Sequence, residues 1–141
     1  MKAGTIAFRK KHRSFEICLI SSHTHQGYFT LPKGNIGTKE TPADAARRES
    51  FEEAGISLFI NRADTPIIWP KSGAKTTLYF PAIIRTTHHI WPEKETRDRL
   101  FVPLRKLHKI ALRPSAHQAI LRLLHREAHN ASDALDNSSW I

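Results

Sequence analysis

The chain has one cysteine and one methionine among 141 residues, and no apolar run approaches the ~20 residues that a membrane-spanning helix needs. A lone cysteine, Cys18, excludes an internal disulfide, and its place within the apolar stretch Phe15 to Ile20 marks a packed thiol rather than a redox centre. The start, Met1 to Arg9, lacks the long apolar core of a secretory signal, so the expected compartment is cytoplasmic, with no membrane partner. Acidic residues are scarce too. Only 13 Asp and Glu stand against 22 Lys and Arg, a formal charge of +9 that favours polyanionic ligands, nucleic acid and polyphosphates alike. No Lys/Arg block is long enough to read as a nucleic-acid arm. What is present is a globular mixture, 40% apolar and 25% charged, of a length that suits one domain. That domain is expected over residues 1–128, with 129–141 as a polar C-terminal tail in which Leu135, Trp140 and Ile141 are the apolar exceptions. Monomer and dimer both remain compatible with this chain.

Gly4 to Phe8 and Phe15 to Ser21 are runs rich in Ile, Phe and Thr, separated by the basic stretch Arg9 to Arg13, which predicts a hairpin. A polar loop, Ser22 to Gly27, leads into a short strand at Tyr28 to Leu31, and the Pro and two Gly of Pro32 to Gly37 mark a shaped loop. Thr41 as N-cap, Pro42 at the first helical position, Asp44 three residues after the cap and Gly55 as C-cap glycine together bracket a helix over Pro42 to Ala54. Ile56 to Ile60, Pro66 to Trp69, Thr76 to Ile84 and Arg97 to Val102 read as strands, with the polar insertion Thr86 to Thr96 before the last. Ala116, Ala119, Ile120, Leu123 and Leu124 then recur at helical spacing behind Ser115 as the expected cap. Strands and helices alternate without a regular βαβ rhythm, so the pattern predicts a mixed sheet flanked by helices.

Glu49, Glu52 and Glu53 stand at i, i+3 and i+4 on the predicted helix, which puts them on one face. Like charges at these spacings repel by a few tenths of a kcal/mol each, roughly, unless a cation sits between them. Hard divalent cations prefer such oxygen ligands, and Mg²⁺ is usually held by a few carboxylates together with water and substrate phosphates. Arg48, one turn before Glu52 and beside Glu49, is placed to orient the carboxylates by charge-assisted hydrogen bonds. Three glutamates taken alone are also what an exposed acidic face looks like.

Their surroundings separate the two readings. Gly34, Glu40, Arg48, Glu49, Glu52, Glu53, Gly55 and Ile56 spell G, five residues, E, seven residues, RE, two residues, EE, one residue, G and an aliphatic. This resembles the Nudix box at each of its charged and glycine positions. One position departs from it: Ser50 stands where the box usually has an aliphatic residue, and its hydroxyl is expected to bond back to the Ala46 carbonyl.

The resemblance implies an α/β/α sandwich of Nudix type and a hydrolase that cleaves a diphosphate linkage with Mg²⁺ or Mn²⁺. By the same resemblance Glu49, Glu52, Glu53 and the Gly34 carbonyl are metal ligands, Glu52 or Glu49 is the general base, and Arg48 completes the catalytic group. Glu40 is expected to be a structural partner, while Glu93 and Glu95 are candidates for an extra carboxylate from a loop. The pairs His23 with His25 and His88 with His89 have no supporting Cys/His constellation, so they are read as surface residues or phosphate contacts.

Outside the box, Ile17 to Ser22, Trp91 to Leu104 and Arg113 to Leu121 resemble the diphosphoinositol polyphosphate and diadenosine polyphosphate phosphohydrolases. That resemblance implies a polyphosphorylated small-molecule substrate, gripped by Lys2, Arg9, Ser21, Ser22, Lys33, Lys75 and Arg113. An RNA 5′-pyrophosphohydrolase and a non-catalytic nucleotide- or RNA-binding module on the same scaffold are the alternatives.

Overall fold

The computed structural model describes the backbone of residues 1–138 and side chains through residue 132. Eight strands build one mixed sheet. Strands β1 (Lys2–Lys11) and β2 (Ser14–Ser21) form the expected hairpin, but the pairing runs to Lys11↔Ser14, so only His12 and Arg13 make the turn. His12 takes the left-handed conformation such a tight turn needs, with φ at 56°. The basic residues read as a loop are therefore mostly strand.

Strand β3 (Phe29–Thr30) adds to β2, and β4 (Lys33–Asn35), inside the segment expected to be loop, pairs antiparallel with the start of β1. Strand β5 (Ile56–Phe59), β6 (Ile67–Trp69) and β7 (Thr77–Thr87) follow, and both β5 and β6 run antiparallel to β7. Strand β8 (Arg99–Pro103) pairs with β2. The pairing of β1 with β7 is parallel, from Lys2↔Thr77 to Phe8↔Ile83, and it makes the sheet mixed. A 3₁₀ helix, Leu104–Lys109, is an element the sequence pattern does not announce.

Two helices cover the two faces. Helix α1 (Pro42–Ala54) packs Ala45, Ala46 and Ala54 into a core with Ala3, Ala7, Cys18, Ile20 and Ile56. Helix α2 (Pro114–Ser138) packs Ala116, Ala119, Ile120 and Leu123 into a second core with Ile6, Ile17, Leu19 and Tyr79. Alternate residues of β1 and β2 serve opposite cores, as the two-residue side-chain period of a strand requires. The result is the α/β/α sandwich.

Two details of the helices differ from expectation. Ser115 is not the cap of α2: the helix begins one residue earlier at Pro114, whose fixed φ suits a first helical position, leaving Ser115 inside the first turn. Helix α2 also continues through residues 129–138, so no helix end marks the 128/129 boundary, while Trp140 and Ile141 lie outside the described residues. No helix among the described residues is long and apolar enough to cross a membrane.

Candidate active site

Helix α1 is fixed at both ends. The Thr41 side chain accepts the Asp44 N–H at 3.1 Å, and Gly55 ends the helix in the left-handed conformation, with φ at 63°. Between these ends Glu49 and Glu53 meet the Lys33–Asn35 strand, at Gly34 and at the Lys33 N–H, while the Glu52 side chain stands beside Arg48. Gly34 lets the Glu49 carboxylate lie directly against the strand, where a Cβ would displace it.

Arg48 organises the near half of the cluster. Its Nε and Nη2 form a fork onto both oxygens of Glu40 at 2.7 and 2.9 Å, and Nη2 also donates to the Asn35 carbonyl. Its Nη1 donates to Glu49 at 2.7 Å and more loosely to Glu52 at 3.4 Å. The Arg48 hydrogen bonds, helped by the Gly37 N–H, hold the Glu40 carboxyl down to about 2. Glu40 thus takes the structural place expected of it.

Glu53 is held differently. It is a buried carboxylate whose Oε1 accepts the Lys33 N–H at 2.8 Å and whose Oε2 accepts Arg97 Nη2 at 2.7 Å. Burial pushes its carboxyl up to about 7 against the opposing pull of Arg97. Arg97 in turn donates to the Ser21 carbonyl and to Glu93, whose N–H binds the Glu52 carbonyl. Of the two loop carboxylates, the structure brings Glu93 to the cluster and leaves Glu95 exposed.

Beside Glu53 opens a cleft of about 700 Å³. Lys2, Ser22, Lys33, Lys75 and Arg113 all line it. The Lys33 ammonium is pushed below its usual range by burial and then by Lys2, with Arg113 and Lys75 adding in the same direction and Glu53 opposing. Four cations therefore share one field, and none of them is in an ion pair among the described residues.

Two expected residues are elsewhere. Arg9 lies toward the far end of β1, where it pairs with Glu16 at 2.8 Å and stacks 3.5 Å from the Phe101 ring centre, so it does not reach the cleft. Ser21 is a support rather than a lining residue: its hydroxyl accepts the Asp98 N–H and its carbonyl receives Arg97. His23 and His25 line the cleft, whereas His88 hydrogen-bonds Ser57 and packs edge-on against Phe51.

A family model described as a NUDIX domain matches residues 1–124. The chain belongs to the Nudix family. It is 28% identical to Nudix hydrolase 21, chloroplastic, of Arabidopsis thaliana, over 88% of this chain and 66% of that protein. It is 36% identical to diphosphoinositol polyphosphate phosphohydrolase 3-beta of Bos taurus, over 43% of this chain and 37% of that protein. The chain thus spans less than two thirds of the length of either relative. Among solved structures, an Ap4A hydrolase of C. elegans in a binary complex superposes with a TM-score of 0.71 at 26% identity, covering 94% of this chain and 99% of that one.

Nudix hydrolases generally use divalent metal ions, and the donor set here suits a hard cation: three carboxylates on one helix face, with the close approach that Gly34 permits. Among the described residues these donors are not gathered into a metal-binding group; Arg48 donates to Glu49 and Glu52, and Arg97 to Glu53. Sequence reasoning missed Arg97 as the partner of Glu53. It lies within the Trp91 to Leu104 resemblance, but nothing in its spacing pairs it with a residue 44 positions earlier.

Proposed function

We propose that this Nudix domain hydrolyses a diphosphate linkage in a densely phosphorylated small molecule, either a diphosphoinositol polyphosphate or a diadenosine polyphosphate. One observation carries the reading: four cations, none ion-paired among the described residues, share a cleft with a buried glutamate of the Nudix box. A single phosphate needs fewer. A chain or ring of phosphates rewards each additional charge-assisted contact, and the names of the mammalian and nematode relatives point to the same substrate classes.

Glu49, Glu52, Glu53 and the Gly34 carbonyl would hold Mg²⁺ or Mn²⁺, with Glu93 as the added carboxylate. Bound there, the ion supplies charge neutralisation of the diphosphate and a more acidic water. Lys2, Lys33, Lys75 and Arg113 bind and orient the phosphates. Arg48 fixes Glu49 firmly and Glu52 loosely, and the Glu52 side chain is 36% exposed against 14% for Glu49. Glu52 is therefore the freer carboxylate, and we assign it the proton of the attacking water.

The test is release of phosphate or nucleotide from a substrate panel with Mg²⁺ or Mn²⁺. The Glu52→Gln and Glu53→Gln variants should each lose turnover by about 10²–10⁴-fold. Full activity in both would sink the assignment, and turnover confined to RNA 5′-diphosphate ends would replace the small-molecule substrate with RNA.

A further inference from the structure

The sheet is wider than the one helix that covers its α2 face. Away from the cleft, Phe8, Phe15, Phe59 and Ile83, from four different strands, floor a groove of about 490 Å³ that Leu124 of α2 and Leu104 of the 3₁₀ helix also line. Phe8 lies six residues along β1 from Lys2, about 20 Å, so groove and cleft are separate. Phe15, Phe59, Ile83 and Leu124 are all exposed, and four large apolar side chains gathered in one place mark an interaction surface. Cations border it. Lys10 is the cross-strand partner of Phe15, Arg13 sits in the adjoining turn, and the Arg85 guanidinium lies 5.0 Å from the Phe59 ring centre. All three are exposed, and none is in an ion pair among the described residues. The groove's own acids, Asp64 and Glu127, stand where Arg126 ties α2 to the Thr65 loop.

Helix α2 ends in a segment of the opposite character. Its last buried residue among those described is Leu123, and residues 127–132 are all exposed, yet the backbone stays helical to Ser138, about 16 Å past Glu127. Residues 127–141 hold three of the 13 acidic residues, Glu127, Asp133 and Asp136, and none of the 22 Lys and Arg. Leu124, Ala128, Ala131 and Leu135 recur at helical spacing. A helical extension of this kind gains stability by packing its apolar stripe against something. Its own groove is out of reach. Helix α2 passes that groove at Leu123, Leu124 and Glu127, and a continuous helix carries its next three turns, roughly, onward along the same axis. A second copy is under no such restriction.

We propose that the groove receives the α2 extension, residues 128–138, of a second copy of this chain, in a twofold pair in which each extension fills the other's groove. Such a pair needs both complementary surfaces on one chain, and this chain carries both. The Ala and Leu stripe meets the Phe8, Phe15 and Phe59 floor, while Asp133 and Asp136 meet Lys10, Arg13 and Arg85. Charge selects this occupant. Two bodies as basic as this one repel each other, and the extension is the acidic run that offsets the repulsion where they meet.

The experiment is sedimentation velocity of the full chain over a concentration series, for the wild type, the extension variant Asp133→Lys/Asp136→Lys and the groove variant Lys10→Glu/Arg85→Glu. The wild type should move from 16.1 kDa toward twice that mass as concentration rises. Each variant alone should dissociate at least about tenfold more readily, because like charges then face each other across the contact. An equimolar mixture of the two variants should recover the wild-type pair: the reversed extension meets the reversed groove, and the unaltered extension meets the unaltered groove. That recovery separates a direct contact from a folding defect, which mixing cannot repair. A wild type that stays at 16.1 kDa throughout overturns the proposal and leaves the groove to a different occupant. So does a pair that neither variant weakens, or one that the mixture fails to restore.

Discussion

Ser50 occupies a position where the Nudix box usually has an aliphatic residue, and its partner lies across the interface in Thr5. The two hydroxyls meet at 2.8 Å in a fully buried contact between α1 and β1, so Ser50 does not bond back to Ala46 as its helical position alone would suggest. Each hydroxyl is the other's partner, and removing one strands the second away from water. Thr5→Val or Ser50→Ala alone should destabilise the fold by about 1–3 kcal/mol. The double substitution should cost clearly less than the sum, because no buried hydroxyl is then left unpaired. Chemical denaturation of the four proteins measures the coupling. Strict additivity would show that the contact contributes nothing beyond the packing of its atoms. No sequence rule could name Thr5 in advance, since it is 45 residues away in the chain and becomes a neighbour only when α1 settles on β1.

At the scale of elements, α1 was legible because its signals are local. Thr41, Pro42 and Gly55 act within one turn of themselves, and the helix spans Pro42–Ala54 as those residues require. Strand β4 was not legible, because Lys33–Asn35 carries Gly and loop chemistry and becomes a strand only by pairing with β1. The C-terminus of α1 is likewise closed by distant residues. The Trp91 indole donates to the Glu53 carbonyl at 3.1 Å, and Arg99, stacked over Trp91, donates to the Ala54 and His88 carbonyls. The segment that looked like a polar insertion thus clasps the catalytic helix, placing a cation where the helix dipole favours one. Gly55 is what lets it close. A Cβ there would lie 2.6 Å from the indole, in a backbone conformation that itself costs a non-glycine residue about 1–2 kcal/mol. Gly55→Ala should therefore destabilise the domain by more than the roughly 1 kcal/mol expected of the cap substitution Thr41→Ala. Thermal or urea unfolding of both variants makes the comparison. A Gly55→Ala effect within about 0.5 kcal/mol of wild type, the range of ordinary surface changes, would dismiss the clasp.

The cleft belongs to the whole molecule. Lys2 comes from β1, Lys33 from β4, Lys75 from the approach to β7 and Arg113 from the approach to α2, and the parallel pairing of β1 with β7 sets Lys2 opposite Thr77. The charge balance pointed to a polyanion but to no location, and only the family resemblance singled these cations out from among 22 Lys and Arg. Arg9 shows the limit of that route, because a basic residue on the right strand can still face Glu16 and Phe101. Four cations in one cleft make ligand affinity sensitive to ionic strength, since the Debye length falls from roughly 10 Å at 0.1 M salt to 3 Å at 1 M. Tripolyphosphate affinity should fall steadily as potassium chloride is raised over that range. The Lys2→Gln/Lys75→Gln double variant should bind more weakly at low salt and show a shallower decline, because fewer contacts remain to be screened. Titrations at a series of salt concentrations give both slopes. An unchanged slope in the variant would mean that Lys2 and Lys75 do not face the bound phosphates, and the cationic cleft would reduce to Lys33 and Arg113.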